Sequence, residues 1–324
     1  MRAAVCPGYG PPDVVRIDER PSEPLTQGQV RVKVGAAAVN FPDVLLIADE
    51  YQISVPPPFV PGSEFAGLIV ETSDGAGGFA VGERVTGTGL FGAFAEEVVV
   101  PAAGLSRIPD GVDDRTAAAF GVAYRTAYHT LRSMARVHEG DELIVLGAGG
   151  GVGLAAVQLG VQLGASVTAV ASSAEKLTVA AGYGATQLVN HKSGELRGAL
   201  RDAVPGGADV VIDPVGGELS EPALRSLRRG GRFVTVGFTS GVIPHIPLNL
   251  VLVKGVHVLG FQFQDVPPDE FVRNEDELRE HLVSRRVLPH VCAVYPLAET
   301  VAALRHVADG RAVGKVLIEL RDDD

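Results

Sequence analysis

The sequence predicts an α/β protein in two parts: an open, doubly wound parallel sheet in mid-chain and a smaller, barrel-like β domain before it. Three observations carry this. Residues 143–174 read as strand, glycine turn, helix and strand. From there to residue 261, short apolar runs alternate with helix-like segments, as crossover connections between parallel strands require. Residues 1–118 instead hold short alternating strands punctuated by glycine and proline.

The glycine turn is the most informative stretch. Residues 143–146, Leu-Ile-Val-Leu, form the kind of run that is buried on both faces of a sheet. Gly147, Gly149, Gly150, Gly151, Val152 and Gly153 follow. Leu154, Val157 and Val161 then keep helical spacing, and residues 167–170 give the next strand. A dinucleotide pyrophosphate is a compact dianion, best held at a helix N-terminus where free N–H groups and the helix dipole face it. Glycines let the backbone approach it and let the helix lie close on the strand. Gly147, Gly150, Gly151, Val152 and Gly153 are therefore the expected cradle. The spacing is Gly147-x-x-Gly150-x-x-Gly153; Val152 occupies the third position of the more usual pattern. Residues 143–174 carry no charge, so hydropathy alone would also allow a membrane span. Seven glycines and two strand-like runs argue against one lipid-spanning helix, and the flanking apolar runs argue against a flexible linker.

Composition sets outer bounds. The chain has 324 residues, 46% of them hydrophobic, enough for two domains with sizeable cores. Its net charge of −11 disfavours nucleic acid or an anionic membrane as partner. Cys6 and Cys292 alone build neither a disulfide framework nor a cysteine-based zinc cluster. Residues 1–8 lack the apolar core of a secretion signal, so a cytoplasmic protein is expected.

In order, strands are expected at residues 30–34, 65–71, 84–88 and 93–100, then a helix over 116–136. Beyond the glycine turn, strands are expected at 187–189, 210–212, 232–236 and 256–261, separated by helices at 174–181, 194–204 and 217–228. The tail gives a charged helix at 269–285, a strand at 290–295, a helix at 297–308 and a strand at 315–320. The expected division is a first domain of residues 1–118 completed by 262–324, with a cofactor domain of 119–261 between. No internal repeat or low-complexity tract interrupts it.

The second strand of the cofactor domain chooses between NADH and NADPH. In NAD-binding folds a carboxylate at its tip holds the ribose 2′-OH. Here the tip reads Ala171-Ser172-Ser173, and Lys176 follows one turn later. Hydroxyls and a cation suit a 2′-phosphate, so NADPH is expected, with His191 and Lys192 after the third strand adding to that pocket. Ser173 also fits a helix N-cap, Lys176 a solvated helix position, and Glu175 a rival ribose ligand.

These motifs resemble the medium-chain dehydrogenase/reductase superfamily, in particular its zinc-independent NADPH:quinone oxidoreductase branch. The resemblance spans nearly the whole chain. It rests on Asn40-Phe41-Pro42-Asp43 with Tyr51, on Pro58-Phe59-Val60-Pro61-Gly62-Ser63-Glu64-Phe65-Ala66-Gly67, and on Tyr124-Arg125-Thr126-Ala127-Tyr128. The glycine turn, Asp213-Pro214-Val215-Gly216-Gly217, Gly230-Gly231-Arg232-Phe233-Val234, Gly237-Phe238-Thr239-Ser240-Gly241 and Gly314-Lys315-Val316-Leu317 complete it. It implies a GroES-like β-barrel catalytic domain, a Rossmann-fold cofactor domain inserted before the tail, and an active site in the interdomain cleft. It also implies that Thr126, Phe238, Ser240 and Phe261 flank the cofactor, and that the chain dimerises by pairing its last Rossmann strand, residues 256–261. Zinc-dependent relatives carry Cys where Asn40 stands and His where Ser63 stands, and a further four-cysteine lobe; without these no metal is expected.

The expected chemistry is hydride transfer from nicotinamide C4 to a quinone or activated enone, with donors stabilising charge on the acceptor oxygen. The resemblance makes Asn40, Tyr51 and Asp43 the catalytic candidates. Asn40 also fits a turn residue satisfying backbone groups, Tyr51 a pocket wall, and Asp43 a structural hydrogen-bond partner. Family members often carry Arg-x-Gly ahead of the tyrosine; here Ile47-Ala48-Asp49 stands there, which removes an arginine. Two other functions fit the same residues: reduction of alkenals or enoyl thioesters, and a low-turnover NADPH-binding regulatory protein.

Overall fold

A computed structural model describes residues 1–320. The chain forms two compact units, Met1–Val122 with Leu288–Asp324, and Ala123–Val287. Among the described residues, no helix is long and apolar enough to cross a membrane.

The first unit is built on a seven-stranded, mostly antiparallel sheet. Its path runs Val291–Pro296, Lys315–Glu319, Gln29–Val39, Glu64–Thr72, Arg84–Thr88 and Leu105–Arg107, with Glu97–Pro101 also paired to Gln29–Val39. This is the GroES-like domain. Strand Gln29–Val39 runs well past the expected residue 34, because Gly35-Ala36-Ala37-Ala38-Val39 carries no polar alternation to mark it as strand. It is buried from Val34 to Val39 and pairs with the C-terminal strand on one side and Glu64–Thr72 on the other. The C-terminal segment thus completes the core of the first: Leu304, Val316 and Ile318 join Val32, Phe65, Ile69 and Phe94.

Helix Phe41–Ala48 had no counterpart in the sequence reading. Asn40 caps it in extended conformation, Pro42 fits its first turn, and Asp43 completes a capping box. Asp49, at φ 58°, ends it.

The second unit is a six-stranded, all-parallel sheet in the order Gln187–Asn190, Ser166–Ala171, Glu142–Leu146, Ala208–Asp213, Leu227–Thr235, His257–Gly260. Numbered along the chain, that order is 3-2-1-4-5-6, the doubly wound Rossmann arrangement. Its switch point lies between Glu142–Leu146 and Ala208–Asp213. Every strand runs the same way, so the segments that follow them emerge on one edge of the sheet.

Helix Pro268–Val283 lies in this second unit, and the chain returns to the first at Leu288. The sequence reading set that return at residue 262. The difference comes from side-chain pairings across about 145–150 residues. Arg125 donates to Glu275 at 2.9 Å, Tyr128 to Glu277 at 2.5 Å and Arg132 to Glu277 at 2.9 Å. Texture along the chain carries no trace of such bonds.

Candidate active site

In the cofactor unit, the site is built at the carboxyl ends of the strands. Gly147 follows Leu146, Ser172 follows Ala171, His191 follows Asn190 and Phe261 follows Gly260. The glycine turn has the tight geometry its spacing implies. Gly147 adopts φ +61°, and a Cβ there would fall 2.6 Å from Val215. Gly150 is the N-cap of helix Gly151–Gln162, so the amides of Gly151, Val152 and Gly153 open that helix. A Cβ on Gly153 would lie 2.1 Å from the Gly147 carbonyl oxygen, so only glycine lets this helix seat on its turn.

Lys176 lies against the cradle, its methylenes within 2.6–2.8 Å of where a Gly149 Cβ would sit. Ser173 accepts from the Lys176 backbone N–H at 3.3 Å, so it is the N-cap of helix Ala174–Gly182. Ser172 is exposed beside it. His191 is near enough to Lys176 and Lys192 to feel both charges: burial, then the two lysines, hold its imidazole below the usual range. The structure therefore gathers Ser172, Ser173, Lys176, His191 and Lys192 at one positive corner.

Phe238 and Ser240 lie on a loop folded back over residues 213–217. Thr239 N–H donates to Pro214 O at 3.2 Å and Ser240 N–H to Val215 O at 3.0 Å. Buried Asp213 organises the loop beneath, accepting from the N–H groups of Val215 and Gly216 at 2.8 Å and from the Ser220 hydroxyl at 2.6 Å. Phe261 is buried, edge-on to Phe263 at 4.9 Å. Thr126 is half-buried near the end of helix Asp114–His129, and its carbonyl accepts from the Thr130 hydroxyl at 2.7 Å. The next five residues, Thr130–Met134, widen into a π-helical turn, a local feature often found at functional sites. His129 is buried there. Asn274 Nδ2 meets its Nδ1 at 3.1 Å and Glu275 Oε1 its Nε2 at 2.8 Å, which assigns the Nε2–H tautomer; Phe271 stacks on the ring at 4.7 Å. Burial pushes the Glu275 carboxyl up, but His129 and Arg125 outweigh it and hold it below the usual range.

In the GroES-like unit, Asn40 and Asp43 come together with three residues absent from the sequence-based list: Ser63, Glu64 and Lys315. Asn40 Nδ2 donates to Ser63 Oγ at 3.1 Å and Glu64 Oε1 at 2.9 Å. Lys315 Nζ donates to Asn40 Oδ1 and Glu64 Oε1, both at 2.6 Å. Glu64 Oε2 accepts the Val122 backbone N–H at 2.7 Å, and a Cβ on Gly121 would lie only 3.0 Å from that oxygen. Asp43 Oδ2 accepts the Asn40 backbone N–H at 2.7 Å. Burial raises the Asp43 carboxyl to about 7; the Asn40 N–H and the nearby Ser63 hydroxyl act against burial. Tyr51 is half-buried against the core of this unit. The signal that could have found Glu64 and Lys315 is a buried charge at the first position of a strand whose next residues are apolar, Glu64-Phe65-Ala66 and Lys315-Val316-Leu317.

Among the described residues, no group of three or more His, Cys, Asp or Glu side chains could hold a metal. A groove of about 680 Å³ in this unit, lined by Arg84, Asp113, Arg115 and Glu319, contains none of the candidate residues.

A parallel sheet with a glycine cradle and a positive corner at its switch-point edge defines a dinucleotide-binding protein. Comparison with known proteins places it more closely. Residues 26–110 match the alcohol dehydrogenase GroES-like domain family, and residues 151–279 the zinc-binding dehydrogenase family. The chain is 37% identical to quinone oxidoreductase-like protein 2 of Bos taurus over 327 residues, covering 99% of this chain and 93% of that one. It is 35% identical over 296 residues to polyketide synthase GfsB of Streptomyces halstedii, covering 91% of this chain and 5% of that much longer one. The quinone oxidoreductase from Thermus thermophilus, solved also in complex with NADPH, superposes with TM-score 0.86 at 31% identity, covering 99% and 100% of the two chains. The chain belongs to the quinone oxidoreductase branch of the medium-chain dehydrogenase/reductase superfamily.

Proposed function

We propose that the chain is a zinc-free reductase that passes hydride from NADPH to a quinone or an activated enone. It is an oxidoreductase by family, and NADPH is its cofactor. When bound, NADPH supplies a hydride at nicotinamide C4. The rest is the work of this chain's side chains. Gly151, Val152 and Gly153 present amides to the pyrophosphate, while Lys176, with Ser172 and His191 nearby, meets the 2′-phosphate. Thr126, Phe238, Ser240 and Phe261 flank the nicotinamide in this reading, and Asn40, Asp43 and Tyr51 remain the catalytic candidates.

The observation that carries the zinc-free reading is the Lys315 ammonium, held 2.6 Å from both Asn40 Oδ1 and Glu64 Oε1. It supplies a fixed positive charge where metal-dependent relatives need ligands, and Asn40 and Ser63 are poor zinc ligands. Chemistry without a Lewis acid suits acceptors that are already electrophilic. Enoyl thioesters are a second reading, favoured by the polyketide synthase likeness.

The test is anaerobic NADPH oxidation against small and bulky quinones, alkenals and enoyl thioesters. Turnover of quinones or enones supports the proposal, and turnover confined to enoyl thioesters selects the second reading. Tight NADPH binding with no turnover would favour a regulatory role.

For assembly, we propose a homodimer through strand His257–Gly260. It ends the parallel sheet, and the apolar side chains of Val242, Ile243, Leu248, Leu252, Val253 and Val258 are exposed on the same unit.

A further inference from the structure

The loop that bears Phe238 and Ser240 is exposed from residue 238 to residue 242, yet its backbone is tied down. Val236 N–H donates to Asp213 O at 2.8 Å, Thr239 N–H to Pro214 O at 3.2 Å and Ser240 N–H to Val215 O at 3.0 Å; in return Gly217 N–H donates to Val242 O at 2.9 Å. The turn beneath packs against the loop too closely for side chains. A Cβ on Gly216 would lie 2.9 Å from the Phe238 ring, and one on Gly217 2.8 Å from Ser240 Oγ; both glycines have positive φ. That turn is itself held by Asp213, which is fully buried. One carboxylate oxygen accepts the N–H groups of Val215 and Gly216, both at 2.8 Å, and the other accepts the hydroxyl of buried Ser220 at 2.6 Å. Without the carboxylate the two amides lose their shared acceptor, and the turn keeps its shape only by leaving an N–H unpaired in the interior.

We propose that Asp213 is a positioning residue for hydride transfer: by pinning the 214–217 turn it fixes the loop of Phe238 and Ser240, and so the seat of the nicotinamide, without touching the cofactor. This rests on the reading above that sets those two residues beside the nicotinamide. The effect is confined to that end of the cofactor. The turn also meets the cradle, since a Gly147 Cβ would fall 2.6 Å from Val215, but the cradle has bonds of its own. Gly150 N–H donates to Gly147 O at 2.9 Å and Ala148 N–H to Val170 O at 3.0 Å. Ser172, Lys176 and His191 follow other strands. The phosphates are thus anchored independently of Asp213, while the orientation of the nicotinamide depends on it. Hydride transfer is sensitive to that orientation, since a displacement of about 1 Å at the reacting atoms costs about 100-fold in rate.

The experiment compares Asp213→Ala, Asp213→Asn and Gly216→Ala with the wild type in three readouts. These are kcat on a small quinone or enone, the emission lifetime of bound NADPH, which reports the nicotinamide, and affinity for adenosine 2′,5′-bisphosphate, which has the 2′-phosphate but no nicotinamide. Asp213→Ala should lower kcat about 100-fold and return the lifetime of bound NADPH toward that of free NADPH, with bisphosphate affinity unchanged. Asp213→Asn keeps one oxygen for the two amides and turns its NH2 to the Ser220 oxygen, so it should restore kcat to within about threefold of wild type. Gly216→Ala leaves the carboxylate in place and drives a methyl group against Phe238, so it should reproduce the signature of Asp213→Ala even where the latter fails to fold. The proposal is overturned if Asp213→Ala keeps the wild-type kcat and lifetime, or if either alanine variant weakens NADPH and the bisphosphate to the same degree. A wild type that reduces no acceptor defeats the reductase reading, and the lifetimes then decide the role of Asp213 by themselves.

Discussion

Gly153 shows how narrowly single residues set this site. Its helix touches the preceding turn so closely that one methyl group has nowhere to go. Gly153→Ala should destabilise the protein by about 1–3 kcal/mol, read by denaturant unfolding, and weaken NADPH binding. Lys176→Ala should weaken NADPH about tenfold, ~1.4 kcal/mol by calorimetry, and leave NADH affinity unchanged. Asp43 predicts a pH dependence of stability. Its carboxyl rises from 3.8 in the open chain to about 7 in the fold, so the folded chain binds that proton more tightly. The stabilisation is fully present below the lower value and is lost as pH rises through the upper one. Melting temperature measured against Asp43→Asn should fall across that window. The glycine turn and the Asn40-Phe41-Pro42-Asp43 cap stand out in the sequence because each is local to a few residues. Glu64 and Lys315 do not: they are 251 residues apart, and nothing in either strand names its partner.

Elements were legible where burial followed a period. Arg84–Thr88 falls on the expected residues, and the strands of the parallel sheet fall within a few of theirs. Helix Phe41–Ala48 was missed because its eight residues are too few to establish a helical period, and Pro42 reads as a turn signal until Asn40 and Asp43 are seen to cap it. Helix Leu248–Lys254 was missed for another reason: Leu248, Leu252 and Val253 are exposed, so it has no polar outer face. Helix Pro268–Val283 depends on its ion pairs. Glu277 accepts from Arg132 through both oxygens and from Tyr128, with Arg132 and Glu277 each about a third exposed. Glu277→Gln should cost about 1–3 kcal/mol locally and speed hydrogen exchange across residues 268–283, while residues 143–146 stay protected.

At the scale of the whole molecule, the two units carry different chemistry: one a glycine turn and a positive corner, the other a buried lysine–glutamate–asparagine network. The change of texture near residue 262 suggested a return to the first domain there, whereas the compact units change at Leu288, after helix Pro268–Val283. The proposed dimer predicts that Leu252→Lys, at a site 82% exposed in the single chain, will turn a dimer in sedimentation into a monomer. The central claim is direct, zinc-free hydride transfer from NADPH to an electrophilic acceptor. It is tested most directly by supplying NADPH deuterated at nicotinamide C4, with an enone, to protein freed of metal by a chelator. The account predicts one cofactor-derived deuterium on the product carbon and undiminished activity. Activity lost on chelation and restored by zinc, or a product without that deuterium, would contradict it.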